Sequence, residues 1–298
     1  MKDIPLIVTT DWLAEHLDDS ELRVIDATVF MQFPEVGGPP TVESGKSSYE
    51  QGHIPGAVFA DLVGELSEPD SNLPFTVPPR ELFIEKLTHL GIGDGTYTVI
   101  YDQNALVGDS VAASYWASRL AWQMRFEGFD GVAILEGGLQ KWLAEGREVS
   151  TEQPNYSQAS FTGQRRSDML ATKEDVKAAI DDEQTVLINS LSPEEFRGNR
   201  PDDPRSGHIP SSQNVFFGSH ADEQTKSLHE DETIRASFEK TGALDPDKKV
   251  ITYCGGGIAA TWSALMLNKL GQPNVAVYDG SMNEWASDPA CPVVKSEK

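Results

Sequence analysis

The sequence predicts an α/β protein of two tandem domains, each a mainly parallel sheet flanked by helices, and three observations carry that prediction. The chain has 298 residues, about twice the ~150 of a typical domain. Three segments recur along it in the same order. Within each copy, short β-branched runs alternate with helical patterns, as parallel strands joined by helices require.

The repeat is read directly. Gly52-His53-Ile54-Pro55 returns as Gly207-His208-Ile209-Pro210, and Val99-Ile100-Tyr101-Asp102 corresponds to Ile251-Thr252-Tyr253-Cys254. The stretch from Val132 to Trp142, with Glu136-Gly137-Gly138 at its centre, corresponds to Val275 to Trp285, with Asp279-Gly280-Ser281. The offset between copies shrinks along the chain, so loop lengths differ, as in a duplicated domain rather than a solenoid of short units.

Taken in order, Leu22 to Asp26 reads as a strand, Val99 to Tyr101 as a second, Val111 to Gly128 as a helix and Val132 to Leu135 as a further strand. The second copy repeats this with Thr185 to Ile188, Lys249 to Tyr253, a helix from Ile258 to Leu270 stopped by Gly271, and Asn274 to Tyr278. Between the copies, Glu148 to Met169 is polar and shows little periodicity, which reads as a connecting segment. The expected domains are therefore 1–148 and 149–298. Two breaker-rich loops, Pro34 to Lys46 and Asn199 to Ser206, precede the two Gly-His-Ile-Pro motifs and are placed to line a site.

Composition excludes several classes. Hydrophobic residues make up 39% and charged residues 24%, an ordinary globular balance rather than a disordered one. The net charge of −23 repels nucleic-acid phosphates and anionic membrane surfaces. The basic residues favour the second half, 15 against 9. Cys254 and Cys291 are the only cysteines, too few for a disulfide framework and without zinc-site spacing. No apolar run reaches the ~18 residues of a membrane span, and the start MKDIPLIVTTDWL lacks signal-peptide character. A reducing, cytoplasmic location is the expectation.

The sharpest chemical signal is Tyr253-Cys254-Gly255-Gly256-Gly257-Ile258-Ala259-Ala260-Thr261. A strand ends at a cysteine, three glycines follow and a helix begins. Ligands bind at this edge of an open α/β sheet, where a helix N-terminus presents unpaired N–H groups and a positive dipole end. A glycine cradle of inward N–H groups lowers a thiol's pKa, which makes Cys254 a candidate nucleophile. The competing reading takes Cys254 as a small buried hydrophobe beside a tight turn. The repeat favours the first, because the other copy has Asp102 followed by Gln103-Asn104-Ala105 in place of the cysteine and glycines. A nucleotide P-loop needs a Gly-Lys-Ser/Thr ending that is absent here. A cysteine phosphatase needs an arginine where Ala260 stands.

On these residues the chain resembles the two-domain sulfurtransferases of the rhodanese family, over nearly its whole length. The matching features are Gly-His-Ile-Pro in both halves, Asp26 at the end of an early strand, the Cys254 loop to Ala259, and Tyr278 to Trp285. The resemblance implies two tandem rhodanese-like domains, the first catalytically inactive and the second carrying Cys254. It implies that Cys254 takes sulfur from a small anionic donor, holds it as a persulfide, and passes it to cyanide, a thiol or a thioredoxin-like acceptor. The chemistry agrees with the residues, since a persulfide anion needs a ring of N–H donors more than a metal or organic cofactor, and none is implied. A monomer or weak homo-oligomer is expected. The rival reading is a persulfide carrier or sensor without turnover.

By the same resemblance, Arg197 and Arg205 lie where the family carries substrate arginines, while Glu195 occupies the usual position of one of them. Read as residues alone, Arg197, Arg200 and Arg205 are equally a charged, solvated loop. The substrate loop is Gly255, Gly256, Gly257, Ile258 and Ala259. Its lack of cations argues against thiosulfate and Gly255 favours 3-mercaptopyruvate, but that type carries a hydroxyl where Gly256 stands. Asp61 matches an accessory aspartate, and Asn72 falls where a histidine is expected. His53 and His208 recur in both copies and read as scaffold. Trp142 and Trp285 read as packing, and Cys291 as a bystander thiol.

Overall fold

The structure is a computed structural model that describes residues 4–32, 40–103, 112–198, 203 and 205–296. It divides into two units. The first comprises Met1–Ser71, Val77–Arg166 and Ala221–Leu228, and the second Asn72–Thr76, Ser167–His220 and His229–Lys298.

In the first unit the elements are β1 (Ile7–Val8), α1 (Thr10–His16), β2 (Leu22–Asp26), β3 (Val29–Gln32), β4 (Thr41–Ser44), α2 (Lys46–Gln51), β5 (Ala57–Phe59), α3 (Arg80–His89), β6 (Tyr97–Tyr101), α4 (Tyr115–Glu127), β7 (Val132–Leu135) and α5 (Gly138–Ala144). Five strands form a parallel sheet in the order β1-β7-β6-β2-β5, and β3 and β4 pair as an antiparallel hairpin. The central β6 is buried along its whole length, as a strand covered on both faces must be. One face packs Val24, Tyr49, Val99, Tyr101, Ala133, Leu139 and Trp142 into a single core cluster.

The second unit repeats the plan with β8 (Leu170–Ala171), α6 (Lys173–Ala179), β9 (Thr185–Asn189), α7 (Pro193–Arg197), β10 (Gln213–Asn214), α8 (Asp231–Phe238), β11 (Lys249–Tyr253), α9 (Ala259–Lys269), β12 (Val275–Tyr278) and α10 (Ser281–Trp285). Its parallel sheet runs β10-β9-β11-β12-β8, the first unit's order strand for strand. Among the described residues no helix is long and apolar enough to cross a membrane.

The duplication extends to single hydrogen bonds. The Ala27 N–H donates to Tyr101 O at 2.9 Å, and the Ser190 N–H to Tyr253 O at 2.8 Å. The Ile54 N–H donates to the Tyr101 hydroxyl and the Ile209 N–H to the Tyr253 hydroxyl. His53 and His208 are buried, each with Nδ1 at 2.7 Å from a backbone carbonyl, of Tyr49 and Phe196, and each stacked on that residue's ring. The Trp142 indole donates to Glu148 O and the Trp285 indole to Pro292 O, both at 2.8 Å. These four side chains are scaffold. Asp26 is fully buried, and desolvation pushes its carboxyl up to about 6.

Three expectations change. The boundary expected after residue 148 moves to Arg166, because the connecting segment is tied along the first unit. His53 and Ser150 exchange backbone hydrogen bonds at 2.9 and 2.8 Å, Arg23 lies 3.9 Å from the Tyr156 ring centre, and Phe161 stacks on Phe129 at 3.6 Å. Glu127, buried, receives both Arg80 and Arg165. Such a strap is held by backbone bonds and spaced anchors rather than by an apolar face, so it leaves no periodicity to read. Second, Ala221–Leu228 belongs with the first unit, where the Leu228 N–H donates to Glu136 Oε1 and Lys141 Nζ to Ser227 Oγ, both at 2.9 Å. Third, Thr41–Ser44 of the expected loop is strand β4, and the helix expected from Val111 begins at Tyr115; residues 33–39 and 104–111 lie outside the described ones.

Candidate active site

Two parallel strands aim the loop. β11 sits between β9 and β12, with Tyr253 in register with Asn189 and Thr252 with Val277. The Thr252 hydroxyl donates to Ala260 O at 3.0 Å, which pins the start of α9 against the strand it follows. Between them Cys254 is 3% exposed. Among residues 253–261, Gly255 and Gly256 alone are part-exposed, so the route to the sulfur passes these glycines.

The loop after β12 holds the cysteine loop from the side. The Cys254 N–H donates to Ser281 Oγ at 3.1 Å, the Met282 N–H to Cys254 O at 3.0 Å, and the Asn283 N–H to Gly255 O at 2.9 Å. Ser281 in turn donates to Tyr278 O at 2.7 Å. Ser281 sits at φ 48°, in the left-handed region that a side chain disfavours. Its counterpart in the first unit is Gly138 at φ 55°, where a Cβ would lie 2.3 Å from Asp102 O. The serine in the second unit has a use there, since its hydroxyl receives the Cys254 N–H.

Past the cysteine, the chain turns through Gly257 at φ 76° into the 11-residue α9. Among the described residues, the N–H groups of Gly255, Gly256, Ile258, Ala259 and Ala260 have no protein acceptor. A row of unpaired donors at a helix start favours an anion, here a thiolate or persulfide, by dipole and by direct hydrogen bonds. In the first unit, residues 104–111 of the matching loop lie outside the described ones, and the place of the cysteine is taken by Asp102. Asp102 is fully buried and its Oδ2 accepts the Ala117 N–H of α4 at 2.9 Å, while Gln103 bonds to Ser48. The carboxylate itself occupies the helix donor.

The remaining expected site residues separate. Arg205 does not face outward as a free cation: its Nε donates to Ala286 O at 3.1 Å, and its Nη2 to Asp288 O and Cys291 O at 2.9 and 2.8 Å. These bonds tie the chain after α10, which gives Arg205 a structural contact where a substrate role was expected. The guanidinium of Arg197, half-buried in the last turn of α7, makes no hydrogen bond or ion pair with another described residue. Arg200 lies outside the described residues. Glu195 is the far partner of a capping box, its Oε2 accepting from Ser192 Oγ at 2.9 Å, which accounts for a carboxylate in place of an arginine. Asp61 belongs to the first unit and spends Oδ1 on the N–H groups of Val63 and Gly64, both at 3.0 Å. Asn72 is grouped with the second unit, with Cys254. Cys291 is buried in the second unit's core cluster, and burial pushes its thiol up.

Sequence reasoning missed Ser281 and Asn283. The repeat itself held the signal for Ser281, since Gly138 against Ser281 is a glycine replaced at a position where glycine is easier.

A duplicated parallel-sheet unit, with a cysteine in a glycine loop between strand and helix in one copy and a self-satisfied aspartate in the other, defines a tandem rhodanese-type protein. Residues 9–145 and 172–288 match the rhodanese-like domain family, and the chain belongs to it. It is 31% identical to thiosulfate/3-mercaptopyruvate sulfurtransferase 2 of Arabidopsis thaliana, over 97% of this chain and 86% of that protein. It is 30% identical to the sulfur carrier protein TtuD of Thermus thermophilus, over 98% of each. The crystal structure of SseA from Escherichia coli, described as a 3-mercaptopyruvate sulfotransferase, superposes with a TM-score of 0.77 at 30% identity, covering 93% of this chain and 99% of that one.

Proposed function

We propose that the protein is a sulfurtransferase that moves a sulfane sulfur from a small anionic donor, 3-mercaptopyruvate or thiosulfate, to a thiol or cyanide acceptor through a persulfide on Cys254. The observation that carries this reading is the row of N–H groups of Gly255, Gly256, Ile258, Ala259 and Ala260, without protein acceptors among the described residues, around a cysteine at the strand's end. The thiolate attacks the donor's outer sulfur. With thiosulfate the S–S bond breaks and sulfite leaves with the electron pair; with 3-mercaptopyruvate the C–S bond breaks and the enolate takes a proton to become pyruvate. The loaded sulfur carries the negative charge and lies among the loop donors, which lower its energy without a metal or organic cofactor. The acceptor then attacks the outer sulfur and Cys254 leaves as thiolate, giving thiocyanate from cyanide or a persulfide from a thiol, including that of a thioredoxin-like protein. Gly257, Ile258 and Ala259 shape the loop, Gly255 and Gly256 open it, and Arg197 supplies a cation for the anionic donor. With both cysteines unpaired, a reducing, cytoplasmic setting suits the chemistry.

The test is sulfur loading. Incubation with either donor adds one sulfur atom to the intact protein by mass spectrometry, and cyanide removes it as thiocyanate. Cys254→Ser abolishes both while far-UV circular dichroism stays unchanged; full turnover by that variant sinks the mechanism. Comparing kcat/KM for the two donors with one acceptor decides between them. The likeness to a protein named a sulfur carrier supports a second reading, a persulfide carrier without turnover. One equivalent of thiocyanate per chain, with no steady state under excess donor, would identify it.

A further inference from the structure

The mouth of the cysteine loop carries a side chain that the mechanism above leaves unused. Gly255 has open space where a Cβ would stand, and a Cβ on Gly256 would meet one side-chain atom, Asn283 Nδ2, at 3.0 Å. Asn283 is exposed, and its carboxamide has no hydrogen-bond partner among the described residues. Its backbone is fixed, because its own N–H donates to Gly255 O at 2.9 Å and the preceding Met282 N–H donates to Cys254 O at 3.0 Å. A donor reaching Cys254 must pass Gly255 and Gly256, and so passes this carboxamide. The loop holds no cation from Cys254 to Thr261. A neutral amide N–H serves a single carboxylate well but compensates poorly for desolvating a dianion.

Building on the sulfurtransferase reading, we propose that Asn283 is a donor-selecting residue whose carboxamide N–H binds the carboxylate of an α-keto-acid thiol such as 3-mercaptopyruvate, while its sulfur meets Cys254. Asn283 thereby supplies the polar contact that a side chain at Gly256 would otherwise make. Since the two occupy the same space, a hydroxyl at 256 and a carboxamide at 283 are alternatives.

The experiment measures initial rates with 3-mercaptopyruvate and with thiosulfate, cyanide being the acceptor in both. Loss of one hydrogen bond to a charged group predicts that Asn283→Ala raises KM for 3-mercaptopyruvate about tenfold with kcat within about twofold, and raises KM for thiosulfate by less. Asn283→Asp, isosteric but anionic, raises it further, to about a hundredfold. Adding Gly256→Ser to Asn283→Ala restores much of the affinity, which a purely structural role would not do. Thermal unfolding of each variant checks the fold, since the backbone bond to Gly255 is kept in all. Unchanged KM values for both donors in the Ala and Asp variants overturn the inference alone. A wild-type protein that accepts sulfur from no donor overturns the sulfurtransferase reading and this inference with it.

Discussion

Ser281 offers a prediction in which stability and activity move differently. Its hydroxyl accepts the Cys254 N–H at 3.1 Å and donates to Tyr278 O at 2.7 Å, both buried, and its backbone is held at φ 48°. Ser281→Ala keeps the backbone cost and loses both bonds, leaving the Cys254 N–H buried without its acceptor, for about 2–3 kcal/mol of destabilisation. Ser281→Gly loses the same bonds but relieves the left-handed conformation, about 1–2 kcal/mol, less the greater freedom of glycine in the unfolded chain, about 0.5–1 kcal/mol. The glycine variant is therefore expected to be the more stable of the two by about 1 kcal/mol, read from urea midpoints at constant slope. Sulfur loading is expected to fall about tenfold in both, because both release the nucleophile's backbone from the same anchor. If loading instead follows stability, with the glycine variant close to wild type and the alanine variant poor, Ser281 acts on the fold alone and the positioning argument fails.

Arg205→Ala lowers the unfolding temperature while leaving donor KM within about twofold, since its Nε and Nη2 bond carbonyls after α10; a large rise in KM at unchanged stability would restore the substrate role. His220 is fully buried with Nδ1 unpaired, and desolvation, with the charge of His229, lowers its pKa to about 4. The unfolded chain then binds the extra proton between about pH 6.5 and 4, so this contribution is complete above 6.5 and is lost as pH falls, about 3 kcal/mol in all. His220→Gln should flatten that part of the stability profile, and an unchanged acid slope would refute it. Glu127→Gln breaks a buried carboxylate's pairing with Arg80 and Arg165 and is expected to cost about 3 kcal/mol. It should also reduce hydrogen-exchange protection of the Arg166 N–H, which donates to Phe126 O; intact protection would show that the strap holds without it.

The central strands were legible because each is a short run rich in β-branched residues, whereas short edge strands such as β1 and β10 were not. Leu22–Asp26, Val132–Leu135 and Lys249–Tyr253 lie where the alternation placed them. Cys254 was legible because a strand, a cysteine, glycines and a helix must meet at a sheet edge. The contacts of Arg205 were not legible, because a cation in a polar loop looks the same whether it awaits an anion or binds carbonyls more than 80 residues on. Glu195 was visible as a departure, but its reason, the capping box with Ser192, became clear only from the helix start.

The sequence by itself determined two copies of an α/β unit and placed one cysteine in a glycine loop at a sheet edge, because periodicity, repetition and loop chemistry are local properties. Only the tertiary structure decided that residues 149–166 and Ala221–Leu228 belong to the first unit, that Ser281 anchors Cys254, and that Asn283 stands at the loop's mouth. Each of these depends on which distant backbone donors and acceptors meet. That pairing is settled by the packing of the sheet, and no neighbouring residue records it.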